Sequence, residues 1–291
     1  MTIVDCGGRS LDLSRPAVMG VLNVTPDSFS DGGSHVRLED ALARARRIEA
    51  EGAAILDVGG ESTRPGAGAV AAAGELERVI PVIEACRREV SIPVSIDTSK
   101  PEVMREAVAA GAGMINDVRA LREPGALDAA AECGVPVVLM HMQGEPRTMQ
   151  QSPRYDDVTR EVCRFLGERA AACTAAGIAS DRILLDPGFG FGKTLAHNLE
   201  LFARLEEVVS LGRPVVVGVS RKSMIGRLTG KPVGERAAGS VAAAVVAAWK
   251  GSALLRVHDV GATVDALAVC GAIREYGSPE SGGTFRPAAG V

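Results

Sequence analysis

The sequence predicts an α/β protein, a (β/α)8 barrel of the TIM type with a short N-terminal β-hairpin. Three observations carry this expectation. Eight short apolar runs alternate along the chain with segments of helical period. The runs are continuously hydrophobic instead of alternating, as strands of a parallel sheet covered on both faces are. The 291 residues suit one barrel of about 250 residues with additions at its ends.

Taken in order, residues 1–16, containing DCGGRSLDLSRP, read as a hairpin ahead of the barrel. AVMGVLNV (17–24) is the first strand, followed by a long polar loop (25–37) and the helix LEDALARARRIEAEG. AAILDVG (53–59) is the second, with another long loop (60–74, GESTRPGAGAVAAAG) and the helix ELERVIPVIEACRRE. Then PVSIDT (93–98) pairs with PEVMREAVAAG, GMINDV (113–118) with PGALDAAAECG, and VPVVLMH (135–141) with VTREVCRFLGERAAACTAAG. RILLDPG (182–188) precedes NLELFARLEEVV, PVVVGVS (214–220) precedes GERAAGSVAAAVVAAWKG, and ALLRVHD (253–259) precedes TVDALAVCGAIREYG. Residues 1–277 are expected to form one domain, and the Gly/Pro/Ser-rich residues 278–291 a flexible tail.

Composition narrows the function. A net charge of -4 and a pI near 5.7 give no basic footprint for nucleic acid. Six cysteines without a C-x-x-C pair suit a reducing cytoplasm better than a disulfide framework. No apolar run reaches the roughly 18 residues of a membrane span, and the N-terminus lacks the pattern of a signal peptide. Without secretion, the glycosylation-like tripeptide at Asn23 carries no meaning. DPGFGFGKT (186–194) fails as a phosphate loop, because Pro187 stands where that pattern needs Gly. The Met residues and the single Trp249, on an Ala-rich helix, read as core packing.

The informative pattern lies at the strand ends. Each run finishes in hydrophilic residues: Asn23, Asp57, Asp97, Asn116 with Asp117, His141, Asp186, Ser220-Arg221-Lys222, and Arg256 with His258. One Asp after a strand is commonly a helix cap, but eight strands ending this way describe the face where barrel enzymes place their chemistry. Asp57, Asp97, Asn116 and Asp186 would surround one cavity. Carboxylates and amides without a Cys or His cluster suit a heterocycle bearing N–H donors better than a transition metal. A hard cation such as Mg2+ remains open, held through one oxygen ligand and substrate phosphates. Lys222, Arg256 and His258, with Arg64 from the loop after the second strand, form a cationic side suited to phosphate. The two long loops are candidates for lids.

The segments MGVLNVTPDSFSDGG, ILDVGGESTRPGA, VSIDT, INDV, VVLMHMQGEPRTMQ, LLDPGFGFGKT, VGVSRKSMIG and RVHDV resemble, in order, the signatures of the bacterial dihydropteroate synthase family, over roughly residues 16 to 276. The resemblance implies condensation of 6-hydroxymethyl-7,8-dihydropterin diphosphate with p-aminobenzoate, by a dissociative route. It implies a pterin held by Asp57, Asp97, Asn116, Met140, Asp186, Phe191 and Lys222. The diphosphate would be gripped by Asn23 through Mg2+, with Thr63, Arg64, Arg256 and His258. The p-aminobenzoate would lie against Phe29, Thr63, Pro65 and Phe191, with its carboxylate at Ser223. Asp31 and Arg64 would complete the site with Asp97 and Lys222 as catalytic groups. It further implies a cytoplasmic homodimer, with helix 234–250 contributing to the contact. Two other readings stay open: a methyltetrahydrofolate-binding methyltransferase domain, and a non-catalytic pterin-binding paralogue. The stretch GAGAVAAAGELERV (66–79) departs from the more acidic helix start of relatives.

Overall fold

The structure, a computed structural model, describes residues 3–24, 34–62, 68, 70–145 and 148–276, with side chains of 34–37 left aside. Strands β1 (Ile3–Asp5) and β2 (Ser10–Asp12) form the antiparallel hairpin, with Val4 opposite Leu11. The eight barrel strands are β3 (Ala17–Asn23), β4 (Ile55–Gly59), β5 (Val94–Asp97), β6 (Met114–Asp117), β7 (Val137–Met140), β8 (Ile183–Asp186), β9 (Val216–Val217) and β10 (Leu254–Val257). Seven parallel pairings run in the order β8-β7-β6-β5-β4-β3-β10-β9. A parallel bridge between Leu185 and Val215 closes the ring, with the Leu185 N–H donating to the Pro214 carbonyl at 3.0 Å.

Helices α1 (Ser34–Ala50), α2 (Ala72–Glu89), α3 (Pro101–Ala109), α4 (Ala126–Cys133), α5 (Val158–Ala175), α6 (Leu195–Ala203), α7 (Leu205–Val209), α8 (Ser223–Thr229), α9 (Ala237–Trp249) and α10 (Val260–Tyr276) surround it. The expected helix NLELFARLEEVV divides at Arg204 into α6 and α7. The departure at 66–79 shows as a helix start without a cap, since Ala71 offers no side-chain bond to α2.

The two-residue alternation of a strand divides the core into two shells. Met19, Ile55, Met114, Val138, Leu184, Val216 and Leu254 pack together inside the barrel, and Val4, Leu11 and Leu13 of the N-terminal segment plug that end. Residues of opposite parity, such as Leu22, Leu56, Val58, Ile96, Ile115, Leu139 and Leu185, pack outward against the helices. Continuing the inner parity toward the strand ends reaches Asn23, Asp57, Asp97, Asn116, Met140, Asp186 and Arg256. The apolar plug thus sits beneath a polar mouth.

Trp249 corrects its sequence reading: it is 56% exposed at the end of α9, while Met19, Met104, Met114, Met140, Met142, Met149 and Met224 are buried as expected. Among the described residues, no helix is long and apolar enough to cross a membrane.

Candidate active site

Register sets neighbours around the mouth. Asp97 pairs with Asn116, Met140 with Asp186, and Asn23 with Gly59, which in turn pairs with Asp97. A Cβ at Gly59 would stand 3.7 Å from Asn23 Oδ1 and 3.8 Å from Asp97 Oδ2, so these two oxygens flank one glycine. Asp57 is fully buried, and its Oδ2 accepts from Arg256 Nε at 2.6 Å and from Asn116 Nδ2 at 3.1 Å. Its Oδ1 is buried without a partner among the described residues, an acceptor left for a donor from elsewhere. Arg256 also donates through Nη2 to Asp97 Oδ2 at 2.7 Å, spanning two strands with one planar fork.

Lys222 enters from the turn after β9. Its Nζ donates to the Phe189 carbonyl at 2.6 Å and lies 4.5 Å from the Phe191 ring centroid, within cation–π range. Gly218 keeps space open between Lys222 and Arg256: a Cβ there would stand 3.9 Å from Lys222 Nζ and 3.8 Å from Arg256 Cβ. Met140 and Phe191, with Val118, Met142 and Met149, form an apolar wall beside these charges. His258 donates its backbone N–H to Ser220 Oγ at 3.2 Å and places Nδ1 3.1 Å from the same oxygen. Ser223 opens α8, one residue beyond Lys222.

The electrostatics follow from burying unlike charges together. Burial pushes Asp97 up to about 7, opposed by Arg256 and reinforced by Asp57, Glu75 and Asp117. Asp186 is likewise raised by burial, against the pull of Lys222 and the Gly188 N–H that donates to it at 2.7 Å. Burial lowers Lys222 to about 8, opposed by Asp186. Burial also works against the charge on Arg256, but Asp57 and Asp97 outweigh it and hold the guanidinium protonated.

Three of the polar strand-end residues do not join the mouth. Asp117 has the outward parity and instead accepts from Ser99 Oγ, the Arg119 N–H and the Leu121 N–H, holding the turn where Ala120 and Leu121 adopt positive φ. His141 follows the same parity into a pocket with Tyr155, Phe165 and Lys193. Arg221 turns away to a bidentate pair with Asp259. Phe29, Asp31, Thr63, Arg64 and Pro65 lie outside the described residues.

Burial with Lys193 beside it drives His141 down to about 2, so the ring stays neutral. Its folded pKa is depressed below the unfolded value of about 6.5, so the unfolded chain binds the extra proton as pH falls. Stability is therefore expected to drop by as much as about 1.4 kcal/mol per pH unit below pH 6.5 on account of this group. His141→Leu should flatten that slope in melts from pH 5 to 7. A His141 ring signal titrating between pH 5 and 7 would show the burial to be misjudged.

Lys193 itself is absent from the set read in the sequence, where it figures only as the Lys of a failed phosphate loop. Its buried Nζ meets His141 Nδ1 at 2.9 Å, the Gly188 carbonyl at 2.9 Å and the Phe191 carbonyl at 3.1 Å. A Lys directly after a Gly-Phe-Gly-Phe-Gly run, close to a strand end, was the available signal.

Fold and site together define a (β/α)8 barrel whose mouth gathers buried carboxylates, an amide and two cationic side chains, the donor and acceptor set of a site for polar, charged ligands. A family described as pterin binding enzyme matches residues 19–258. The chain is 58% identical over 262 residues to the dihydropteroate synthase of Escherichia coli strain K12, covering 90% of this chain and 93% of that one. It superposes on Xanthomonas albilineans dihydropteroate synthase with 4-aminobenzoic acid at a TM-score of 0.89 and 59% identity, over 94% of this chain and 98% of that one. The same enzyme in complex with 7,8-dihydropteroate gives a TM-score of 0.86 at 57% identity, over 94% and 98%. The chain belongs to the pterin-binding enzyme family, among the dihydropteroate synthases.

Proposed function

We propose that this protein is a transferase that joins 6-hydroxymethyl-7,8-dihydropterin diphosphate to p-aminobenzoate, releasing diphosphate and 7,8-dihydropteroate. The observation that carries the reading is the convergence of Asp57, Asp97, Asn116 and Asp186 with Lys222 and Arg256 at one end of the barrel, in a chain so close to known synthases. A methyltetrahydrofolate-binding domain has no diphosphate to hold, which gives Asn23 and His258 no anion to serve, whereas Arg256 is engaged by Asp57 and Asp97 under either reading.

In this reading the carboxylates and Asn116 accept and donate along the polar edge of the pterin, while Met140 and Phe191 cover its faces. Lys222 hydrogen-bonds the ring and balances Asp186. As the carbon–oxygen bond to diphosphate lengthens, Asp57 and Asp97 favour the cation left on the pterin methylene, and Arg256 and His258 favour the departing anion. The arylamine then attacks, with its carboxylate at Ser223. Thr63, Arg64, Asp31, Phe29 and Pro65 are assigned to the diphosphate and arylamine sides on sequence resemblance.

Among the described residues no cluster of three His, Cys, Asp or Glu side chains is arranged to hold a metal. Asn23 Oδ1 at the mouth nevertheless suits a hard cation held chiefly by substrate oxygens. When bound there with the diphosphate, Mg2+ would neutralise its developing charge. The six free cysteines accord with a cytoplasmic enzyme.

Purified protein mixed with both substrates and Mg2+ should form dihydropteroate, detected by chromatography. Pterin binding without product would reduce the protein to a binding paralogue.

A homodimer is also proposed, supported by Val246 and Trp249 on α9 and Val269 and Ile273 on α10, all exposed. Light scattering should report twice the 30.1 kDa chain mass, and Trp249→Glu should shift it to one. A monomer at micromolar concentration in the unaltered protein would dismiss this assembly.

A further inference from the structure

We infer that Lys193 is a positioning residue for the pterin side of the reaction, acting through the Gly188–Phe191 turn; the inference rests on the synthase reading above. Lys193 is 2% exposed. Burial pulls Lys193 down to about 7, and in its protonated form its three N–H donors meet the Gly188 carbonyl, the Phe191 carbonyl and, in the Nε2–H tautomer of the ring, His141 Nδ1. Among the described residues no carboxylate is bonded to it, so its bonds go to the shape of a turn and not to pairing a charge.

What that turn carries gives the contact its consequence. Gly188 has φ +67, and a Cβ there would lie 1.9 Å from the His141 carbonyl oxygen, so the turn passes against the end of β7 with no room to shift. The Phe189 carbonyl accepts from Lys222, and the Phe191 ring sits beneath the same ammonium. Gly188 also donates its N–H to Asp186. By gripping positions 188 and 191, Lys193 fixes the two groups that locate Lys222 and the N–H that orients Asp186. Gln150 Nε2 on the Gly190 carbonyl and Tyr155 Oη on the Gly192 carbonyl brace the outside of the turn at 2.5 and 2.7 Å, while Lys193 braces it from within.

Lys193→Met keeps the length of the side chain and removes the donors. It is expected to raise KM for the pterin diphosphate about tenfold, the scale of a lost charge-assisted hydrogen bond, with kcat at saturation changed by less than about threefold. A purely structural role would lower the active fraction, and so kcat, without moving that KM. An unchanged KM therefore overturns the inference whatever happens to kcat. If Lys193→Met does not fold, His141→Leu decides: it removes one acceptor, and a rise of about threefold in the same KM supports the assignment while none overturns it. Unaltered protein run beside the variants separates the two levels, because its failure to form dihydropteroate would reject the synthase reading and not the role of Lys193 alone.

Discussion

Lys222→Ala is expected to lower kcat/KM for the pterin diphosphate by about 10²–10³-fold, the range seen when a preorganised electrostatic donor is deleted from an active site. The residue is held in place before substrate arrives: the Phe189 carbonyl takes one donor at 2.6 Å and the Phe191 ring lies 4.5 Å away. Its removal leaves Asp186 as a buried carboxylate that has lost its principal cation. The barrel should survive, because burial lowers Lys222 to about 8 and a charge that costs the fold something is not what stabilises it. Thermal melts within a few degrees of the unaltered protein, together with the kinetic loss, are the expected result. Activity within threefold of normal would mean the pterin pocket is misplaced.

The second large effect falls on Asp97→Asn, expected to reduce kcat/KM by about 10²-fold through loss of a charged acceptor. The substitution keeps the shape and leaves Arg256 with Asp57 as its only carboxylate partner among the described residues. Its stability signature has a definite sign. Asp97 is raised from 3.8 to about 7, so the folded protein binds the proton more tightly than the unfolded chain across that interval. Stability from this group accordingly falls as pH rises from about 4 to 7, and the Asn variant should lack that slope. Melts of the two proteins at pH 5, 6, 7 and 8 supply the comparison; parallel curves would refute the raised carboxyl, and undiminished turnover would remove Asp97 from the site.

The barrel was legible because its signal is repeated: eight apolar runs, each followed by a helical segment, all survive as β3–β10 with boundaries moved by no more than three residues. The site was legible to the extent that strand parity was respected. Asn23, Asp57, Asp97, Asn116, Asp186 and Arg256 share the inner parity and converge. Asp117 and His141 sit one residue out of phase, which sends the first to a turn and the second toward the helices. Counting polar strand ends without counting phase overstates the set by those two.

Other features had no local signature. That Arg256 would bridge Asp57 and Asp97, instead of standing apart from them on a phosphate side, depends on contacts 199 and 159 residues apart in sequence. Trp249 misleads because an aromatic in an Ala-rich helix resembles core, whereas the described residues leave it 56% exposed on α9. For Lys193 the sequence offers only its place after a Gly-Phe-Gly-Phe-Gly run; its turn inward to the carbonyl oxygens is set by the fold.

The most direct test is a crystal structure of the protein with 6-hydroxymethyl-7,8-dihydropterin diphosphate bound and p-aminobenzoate withheld. The expected result is a pterin edge within hydrogen-bonding distance of Asp97, Asn116 and Asp186, with Met140 and Phe191 against the ring, Lys222 in reach, and the diphosphate toward Asn23 and His258. A ring held outside the strand ends, or one reversed so that the diphosphate lies against Asp186, would contradict it.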